Sequence, residues 1–174
     1  MTSSYVLLDR DGTLIKHVPY LVNPELVELL PKVPEGLRYL KKLGFSFGII
    51  TNQSVIGRKL ATIREVESVN NKVLNLLQQH EVVISFVSVC PHVPEDFCAC
   101  RKPLPQLGLE AIEKYRIDAE SSYMIGDMNL DIAFGQAIGC KTIGITNSTF
   151  GNPKPNYTAV DLLSAAKYIH SQMK

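Results

Sequence analysis

The sequence predicts an α/β fold built on a doubly wound, Rossmann-like parallel sheet. Two patterns carry this expectation. Strand-like apolar runs alternate with helix-like segments along the chain, as right-handed crossover units require. The strand-like runs are nearly continuous in apolar residues, as strands buried on both faces are. A third pattern locates a site. Asp9, Asp11, Thr51 and Asp127 fall at or just after the ends of such runs. A parallel sheet gathers its strand ends at one edge, where a doubly wound fold places its ligands.

The first strand is expected over 5–9, where Tyr5-Val6-Leu7-Leu8 leads into Asp9. Residues 13–34 carry prolines and two short apolar bursts, which predicts an irregular flap. A helix follows over 35–43, and Gly44 suits its C-terminal end. The second strand is expected over 45–51, with Phe47-Gly48-Ile49-Ile50 running into Thr51. Thr62-x-x-Glu65 reads as a capping box that opens a helix to about His80. Val66, Val69, Val73, Leu76 and Leu77 give that helix one apolar face. A third strand spans 83–90, then a Pro-rich loop fills 91–105. Further elements are a helix over 105–115, a strand over 121–127 ending in Tyr123-Met124-Ile125-Gly126-Asp127, and a helix over 129–138 closed by Gly139. A strand over 142–146 comes next. Thr158-x-x-Asp161 is expected to open the last helix, with Leu162, Leu163, Ala166 and Ile169 inward. No segment is long enough for a separate cap domain, so any cover over the site comes from the two irregular loops.

At 174 residues the chain reads as a single domain over 1–174, able to bury roughly 68–70% of its unfolded surface. Lys+Arg 18 against Asp+Glu 17 gives a net charge of +1, with no basic tract to favour nucleic acid or an anionic membrane. No apolar stretch approaches the ~18 residues of a membrane span, and no basic-then-apolar leader opens the sequence. The expectation is a cytoplasmic monomer acting on a small molecule. Cys90, Cys98 and Cys100 crowd around His92, and clustered thiols in a reducing compartment more often bind metal than form bridges. Cys140 reads as a small core residue. His17, His80 and His170 have no ligand partners nearby and read as surface residues.

Asp9-Arg10-Asp11-Gly12-Thr13 follows the first strand. A turn at Gly12 lets the chain curl so that both carboxylates reach one substrate. One can attack phosphorus while the other, two residues on, moves protons. Carboxylates held together demand a counter-charge, and Mg²⁺ is the usual choice where phosphate is handled. Alone, the stretch could equally be a surface acidic turn. Taken in order with Thr51-Asn52, Lys102 and Gly126-Asp127-x-x-x-Asp131, it resembles the four motifs of the haloacid dehalogenase (HAD) superfamily phosphatases, over almost the whole chain. That resemblance implies a HAD-like fold and a role for each residue. Asp9 becomes an aspartyl phosphate. Asp11 protonates the leaving oxygen, then deprotonates the attacking water. Thr51 donates to a phosphoryl oxygen, and Lys102 balances developing charge. Mg²⁺ is held by the Asp9 carboxylate, the Asp11 carbonyl and Asp127. Asp131 orients metal waters or Lys102, or simply stabilises a helix start.

Cys90-x-His92-x5-Cys98-x-Cys100 supplies three thiolates and one imidazole. That set suits tetrahedral Zn²⁺ and leaves no open position for catalysis. The other reading is free thiols beside a surface histidine. A structural zinc in a loop of about 90–105 would fix Arg101-Lys102-Pro103, which follow directly, by closing the loop. CPH…CxCRKP together with TNQS narrows the resemblance to the D-glycero-D-manno-heptose-1,7-bisphosphate 7-phosphatase branch, in a group shared with histidinol-phosphate phosphatases. The branch implies substrate contacts from Thr51, Asn52, Gln53, Ser54, Arg101 and Lys102, with Arg101 helping to recognise the sugar. Four positions depart from it. Val55 and Lys32 stand where Gly is usual, Pro19 precedes Tyr20 where Gly does, and Met128 stands where Lys often follows the metal Asp. Proline fixes φ and valine adds bulk, so the pocket's shape is expected to differ.

The leading expectation is thus a Mg²⁺-dependent phosphatase on a small phosphorylated sugar. Its nearest alternative keeps the chemistry and takes histidinol phosphate or another small phosphate ester. A different class is a phosphoacceptor or binding module that stores phosphate on one Asp; Asp11 opposes it, since a positioned base hastens hydrolysis. A zinc-organised interaction protein with a decayed site is opposed by the intact Asp, Thr, Lys and Asp set.

Overall fold

A computed structural model describes residues 2–145 and 150–173. Among these residues six parallel strands form one sheet: β1 (Tyr5–Leu8), β2 (Ser46–Asn52), β3 (Phe86–Cys90), β4 (Tyr123–Gly126), β5 (Lys141–Ile145) and β6 (Tyr157–Ala159). Helices are α1 (Val33–Lys42), α2 (Ser54–Gly57), α3 (Ile63–Gln79), α4 (Gln106–Tyr115), α5 (Asn129–Ala137) and α6 (Leu162–Gln172). Strand order is β3-β2-β1-β4-β5-β6. The chain winds outward one way from β1 and the other way from β4, so the order reverses between these two strands. That reversal opens a crevice beyond their C-terminal ends, where Asp9 and Asp127 stand.

Successive side chains of β1 feed opposite faces. Val6 and Leu8 join Leu37 and Leu40 of α1, Val69 and Val73 of α3, and Leu162 and Ile169 of α6. Leu7 joins Ala111 of α4, Met124 of β4 and Phe134 of α5 on the other side. β1 and β4 are buried throughout, which explains their unbroken apolar character. Gly36 lets α1 and α6 close, since a Cβ there would lie 2.7 Å from the Leu162 main-chain carbonyl. No segment among the described residues forms a large cap, and no helix among them is long and apolar enough to cross a membrane.

The capping box at α3 forms as expected: Thr62 N–H donates to Glu65 at 2.7 Å, and Glu65 N–H to the Thr62 hydroxyl at 3.3 Å. The second pattern of this kind needs correction. Thr158 lies in β6, a strand the sequence reading missed, and Asp161 alone caps α6 by accepting from Ser164 N–H at 2.7 Å. β6 is three residues long with Tyr157 and Thr158 exposed, so it carries no apolar run. β3 starts at Phe86 rather than 83 because Val83 is exposed. β4 spans only Tyr123–Gly126. The last residue of the strand expected over 142–146 lies outside the described residues. His170 is half-buried rather than a plain surface residue, its Nδ1 2.7 Å from the Tyr39 hydroxyl. Cys140 is buried, which pushes its thiol up to about 12.

The flap expected over 13–34 ends before 33, because α1 already starts at Val33. It is irregular apart from a 3-10 turn at Pro24–Leu26 and an antiparallel bridge between Ile15 and Leu29. Leu14, Ile15, Leu21 and Val27 anchor it in the core. Lys32 caps α1 with φ +67, a left-handed conformation that costs a non-glycine residue about 1–2 kcal/mol. This explains why glycine is usual there.

Candidate active site

The site is built at the reversal point. Asp9 N–H donates to the Ile125 carbonyl at 3.0 Å, tying the end of β1 to β4. Gly12 turns the chain back with φ +84, and a Cβ there would collide with the Asp127 carboxylate. The glycine therefore lets the Asp9–Asp11 turn close against Asp127, where the Thr13 hydroxyl donates to Asp127 Oδ1 at 3.3 Å.

Lys102 is 2% exposed. Its Nζ lies 2.7 Å from each of Asp9 Oδ1, Asp131 Oδ1 and the Ile50 carbonyl. Three ammonium protons thus meet three acceptors. Burial works to lower the lysine, but Asp9 and Asp131 outweigh it and leave Lys102 above its ordinary value. Asp9 is pushed up to about 7, chiefly by burial; Asp131 and Asp127 add to the rise and Lys102 opposes it. Asp127 is raised by burial, then by Asp131. Two carboxylates raised in this way mark a surplus of buried negative charge.

That surplus fits a divalent cation. Carboxylate oxygens of Asp9, Asp127 and Asp131 lie within 4.8 Å of one another. Asp131 spends one oxygen on Lys102 and the other on the Met128 N–H at 3.1 Å. It therefore serves the start of α5 and the lysine together. Asp9 Oδ2 and Asp127 Oδ2 have no hydrogen-bond donor among the described residues. Hard carboxylate oxygens of this kind suit Mg²⁺.

The TNQS stretch turns from β2 into α2. Gln53 Nε2 donates to Thr51 Oγ1 and Asp11 Oδ2, both at 2.9 Å. Because Thr51 Oγ1 accepts there, its own proton is free for another acceptor. Asn52 faces the loop: Nδ2 donates to the Lys102 carbonyl at 3.1 Å, and Lys102 N–H donates to Oδ1 at 3.0 Å. It clamps Lys102 to β2 while lining the cavity. Ser54 and Arg101 also line that cavity, whose volume is about 430 Å³. Pro19, Val55 and Met128, three of the four departures, stand in its wall. So does His17, expected only as a surface residue.

Sequence reasoning missed Arg10 and Asn70. Arg10 is 1% exposed, pairs with Asp11 and donates to Asn70 Oδ1 at 2.7 Å. The available signal was Asn70 itself, an amide set into the Val66–Val69–Val73 face of α3.

Cys90 at the end of β3 meets His92, Cys98 and Cys100 in one cluster. Sulfur–sulfur distances are 3.0, 3.6 and 3.7 Å, and His92 Nδ1 lies 3.2 and 3.7 Å from Cys100 and Cys90. Tetrahedral Zn²⁺ with its usual bond lengths spaces such ligands by about 3.6–3.8 Å. The 3.6 and 3.7 Å separations match that spacing, and the 3.0 and 3.2 Å ones at Cys100 are tighter. The four could hold Zn²⁺ in a closed site with Cys100 set further out. Burial pushes Cys90 up to about 12 and raises Cys100. At Cys98 burial also pushes upward, but the Arg101 backbone N–H and neighbouring thiols bring it down. Arg101 Nη1 donates to the His92 carbonyl at 3.1 Å, so the cluster and the arginine share one support.

Residues 99–165 match the HAD-hydrolase-like family model. A probable D-glycero-D-manno-heptose-1,7-bisphosphate 7-phosphatase of Thermoplasma volcanium is 38% identical over 134 residues, covering 76% of this chain and 92% of that protein. The histidine biosynthesis bifunctional protein of Blochmanniella floridana is 33% identical over 147 residues, covering 82% of this chain but 41% of that protein. The crystal structure of D,D-heptose 1,7-bisphosphate phosphatase from B. bronchiseptica, complexed with magnesium and phosphate, superposes with a TM-score of 0.88 at 25% identity, covering 97% of this chain and 99% of that one. Motifs, sheet order and relatives agree: this chain belongs to the haloacid dehalogenase superfamily, among its phosphatases, in the group whose curated members are named heptose-1,7-bisphosphate 7-phosphatases.

Proposed function

We propose that this chain is a Mg²⁺-dependent phosphatase that removes the 7-phosphate of D-glycero-D-manno-heptose 1,7-bisphosphate, acting as a cytoplasmic monomer. One observation carries the chemistry. Asp9 presents Oδ1 to a buried ammonium and keeps Oδ2 without a protein donor among the described residues, at a cavity that Asp11, Thr51 and Asp127 share. The relatives' names carry the choice of sugar. A cavity of about 430 Å³ suits a small phosphorylated sugar.

In this reading an Asp9 oxygen attacks phosphorus, and the bond from phosphorus to the ester oxygen breaks. The leaving oxygen takes a proton from Asp11. Asp11 then removes a proton from water, whose oxygen attacks phosphorus and returns Asp9 as a carboxylate with inorganic phosphate released. Lys102 holds Asp9 in place and offsets charge as it develops. Thr51 gives its free hydroxyl proton to a phosphoryl oxygen. Asp9, Asp127 and the Asp11 carbonyl would hold Mg²⁺, which would supply the positive charge that lets a carboxylate approach a phosphate. Asp131 stays with Lys102 rather than joining the metal.

The test is a phosphate-release assay with Mg²⁺ on heptose 1,7-bisphosphate and histidinol phosphate side by side. A kcat/KM at least about 100-fold higher on the heptose, a discrimination that placed polar contacts readily supply, is expected. The reverse order would move the substrate to histidinol phosphate. Release that stops after one equivalent, with a persistent phosphoprotein, would instead indicate a phosphoacceptor module.

Zn²⁺ at Cys90, His92, Cys98 and Cys100 is the second metal of the proposal, with a structural role. Removing it is expected to raise KM about tenfold through Arg101, an effect of the size seen when metal-site support is lost. Lys102 should hold its place, because Asn52 and the carboxylates grip it independently. Elemental analysis paired with kinetics before and after chelation checks this. A zinc-free preparation with unchanged KM would refute the structural role.

A further inference from the structure

We propose that Arg10 and Asn70 are positioning residues that fix which Asp11 oxygen handles the proton. This rests on the reading of Asp11 as the proton-transferring carboxylate. The Arg10 guanidinium meets Asp11 as a fork: Nε donates to Oδ2 at 3.0 Å and Nη2 to Oδ1 at 3.2 Å. Gln53 Nε2 adds a second donor to Oδ2 at 2.9 Å. A carboxylate offers about four acceptor sites, two on each oxygen. Among the described residues three are filled, and the open one belongs to Oδ1. The proton is therefore given and taken at Oδ1, while Oδ2 serves as the anchor.

A fork specifies direction only if the arginine is itself fixed. Arg10 is 1% exposed, and its remaining terminal nitrogen, Nη1, donates to Asn70 Oδ1 at 2.7 Å. Asn70 is 7% exposed on the face of α3 that also carries buried Val66, Val69 and Val73. An apolar residue would pack more simply at that position, since a buried amide is costly unless bonded. The bond to Arg10 accounts for its presence. It ties a helix 60 positions away to the loop that carries the reacting carboxylates. Lysine cannot replace Arg10, because a point charge lacks the planar pair of donors.

The test compares two esters: p-nitrophenyl phosphate, whose leaving group departs without a proton, and the sugar phosphate that the unmodified enzyme hydrolyses fastest. The readout is kcat/KM, which reports steps up to phosphoryl transfer onto Asp9. Asn70→Leu is expected to lower it about 10–100-fold on the sugar phosphate, but less than about threefold on the nitrophenyl ester. Competitive inhibition by inorganic phosphate should stay within threefold, separating positioning from binding. Asn70→Asp keeps an oxygen toward Arg10 and should preserve the wild-type rate within about threefold on both esters. Equal losses on the two esters, or no loss in Asn70→Leu, would overturn the inference. Asp11→Ala isolates the underlying reading: a loss of equal size on both esters there removes Asp11 as the acid, whatever the Asn70 variants do.

Discussion

The Asp9→Asn variant is expected to lose phosphate release by about 10⁴-fold or more, the scale on which removal of a nucleophile is felt. The substitution is close to isosteric, and its amide oxygen can still accept from Lys102, which also keeps Asp131 and the Ile50 carbonyl. The fold should therefore persist. Folded-state pKa gives the same variant a second signature. Asp9 rises from 3.8 to about 7 in the folded chain, so the folded state holds its proton more tightly than the unfolded one. Its contribution to stability is complete below pH 3.8 and is lost as pH climbs to about 7. Asparagine does not titrate. In chelator, the variant's Tm should lack the wild-type decline over that window, and above pH 7 the variant should be the more stable protein. Phosphate release within tenfold of wild type would remove Asp9 as the nucleophile.

The sequence made most of the reaction centre legible because its residues sit at strand ends. An apolar run that stops at a carboxylate or hydroxyl side chain marks both the element and its exit, which is why Asp9, Thr51 and Asp127 could be placed at one sheet edge. The Cys90–Cys100 cluster was legible for a different reason: a thiolate and imidazole set of that spacing has few other uses. What escaped was chemistry without a local pattern. Arg10 stands between two acids with no pattern to give it a role, and only the fold shows it buried against Asn70. Asn52 lines the cavity, where a substrate contact would stand, but the two bonds its amide makes to the Lys102 main chain had no signal in the sequence. β6 escaped because three residues, two of them exposed, carry no periodicity. Thr158-x-x-Asp161 misled because the pattern for a capping box does not distinguish a helix start from a strand that ends just before one. Lys32 shows the converse case: its φ of +67 accounts for the usual glycine there, a preference that the sequence could register but not explain.

Lys102→Met should be the most damaging single change to stability and activity together. It leaves the aliphatic stem and removes the charge that Asp9 and Asp131 share. Breaking a buried ion pair from one side costs about 3–5 kcal/mol, because the remaining charge is stranded. Loss of a donor aimed at developing charge costs about 10²–10³-fold in rate, and here the nucleophile is disturbed as well. Lys102 is the neighbour that holds the Asp9 value down, so its removal sends that carboxyl higher still. The pH range over which stability falls with rising pH then extends above 7, and the deficit against wild type should be larger at pH 8 than at pH 5. Tm measured at both values in chelator, alongside kcat at saturating substrate, tests the two effects at once. Adding Asp131→Asn removes one stranded charge and should recover part of the stability. It should not recover the rate, because no ammonium would then stand beside Asp9. A double variant that regained both would show that Lys102 serves the fold alone.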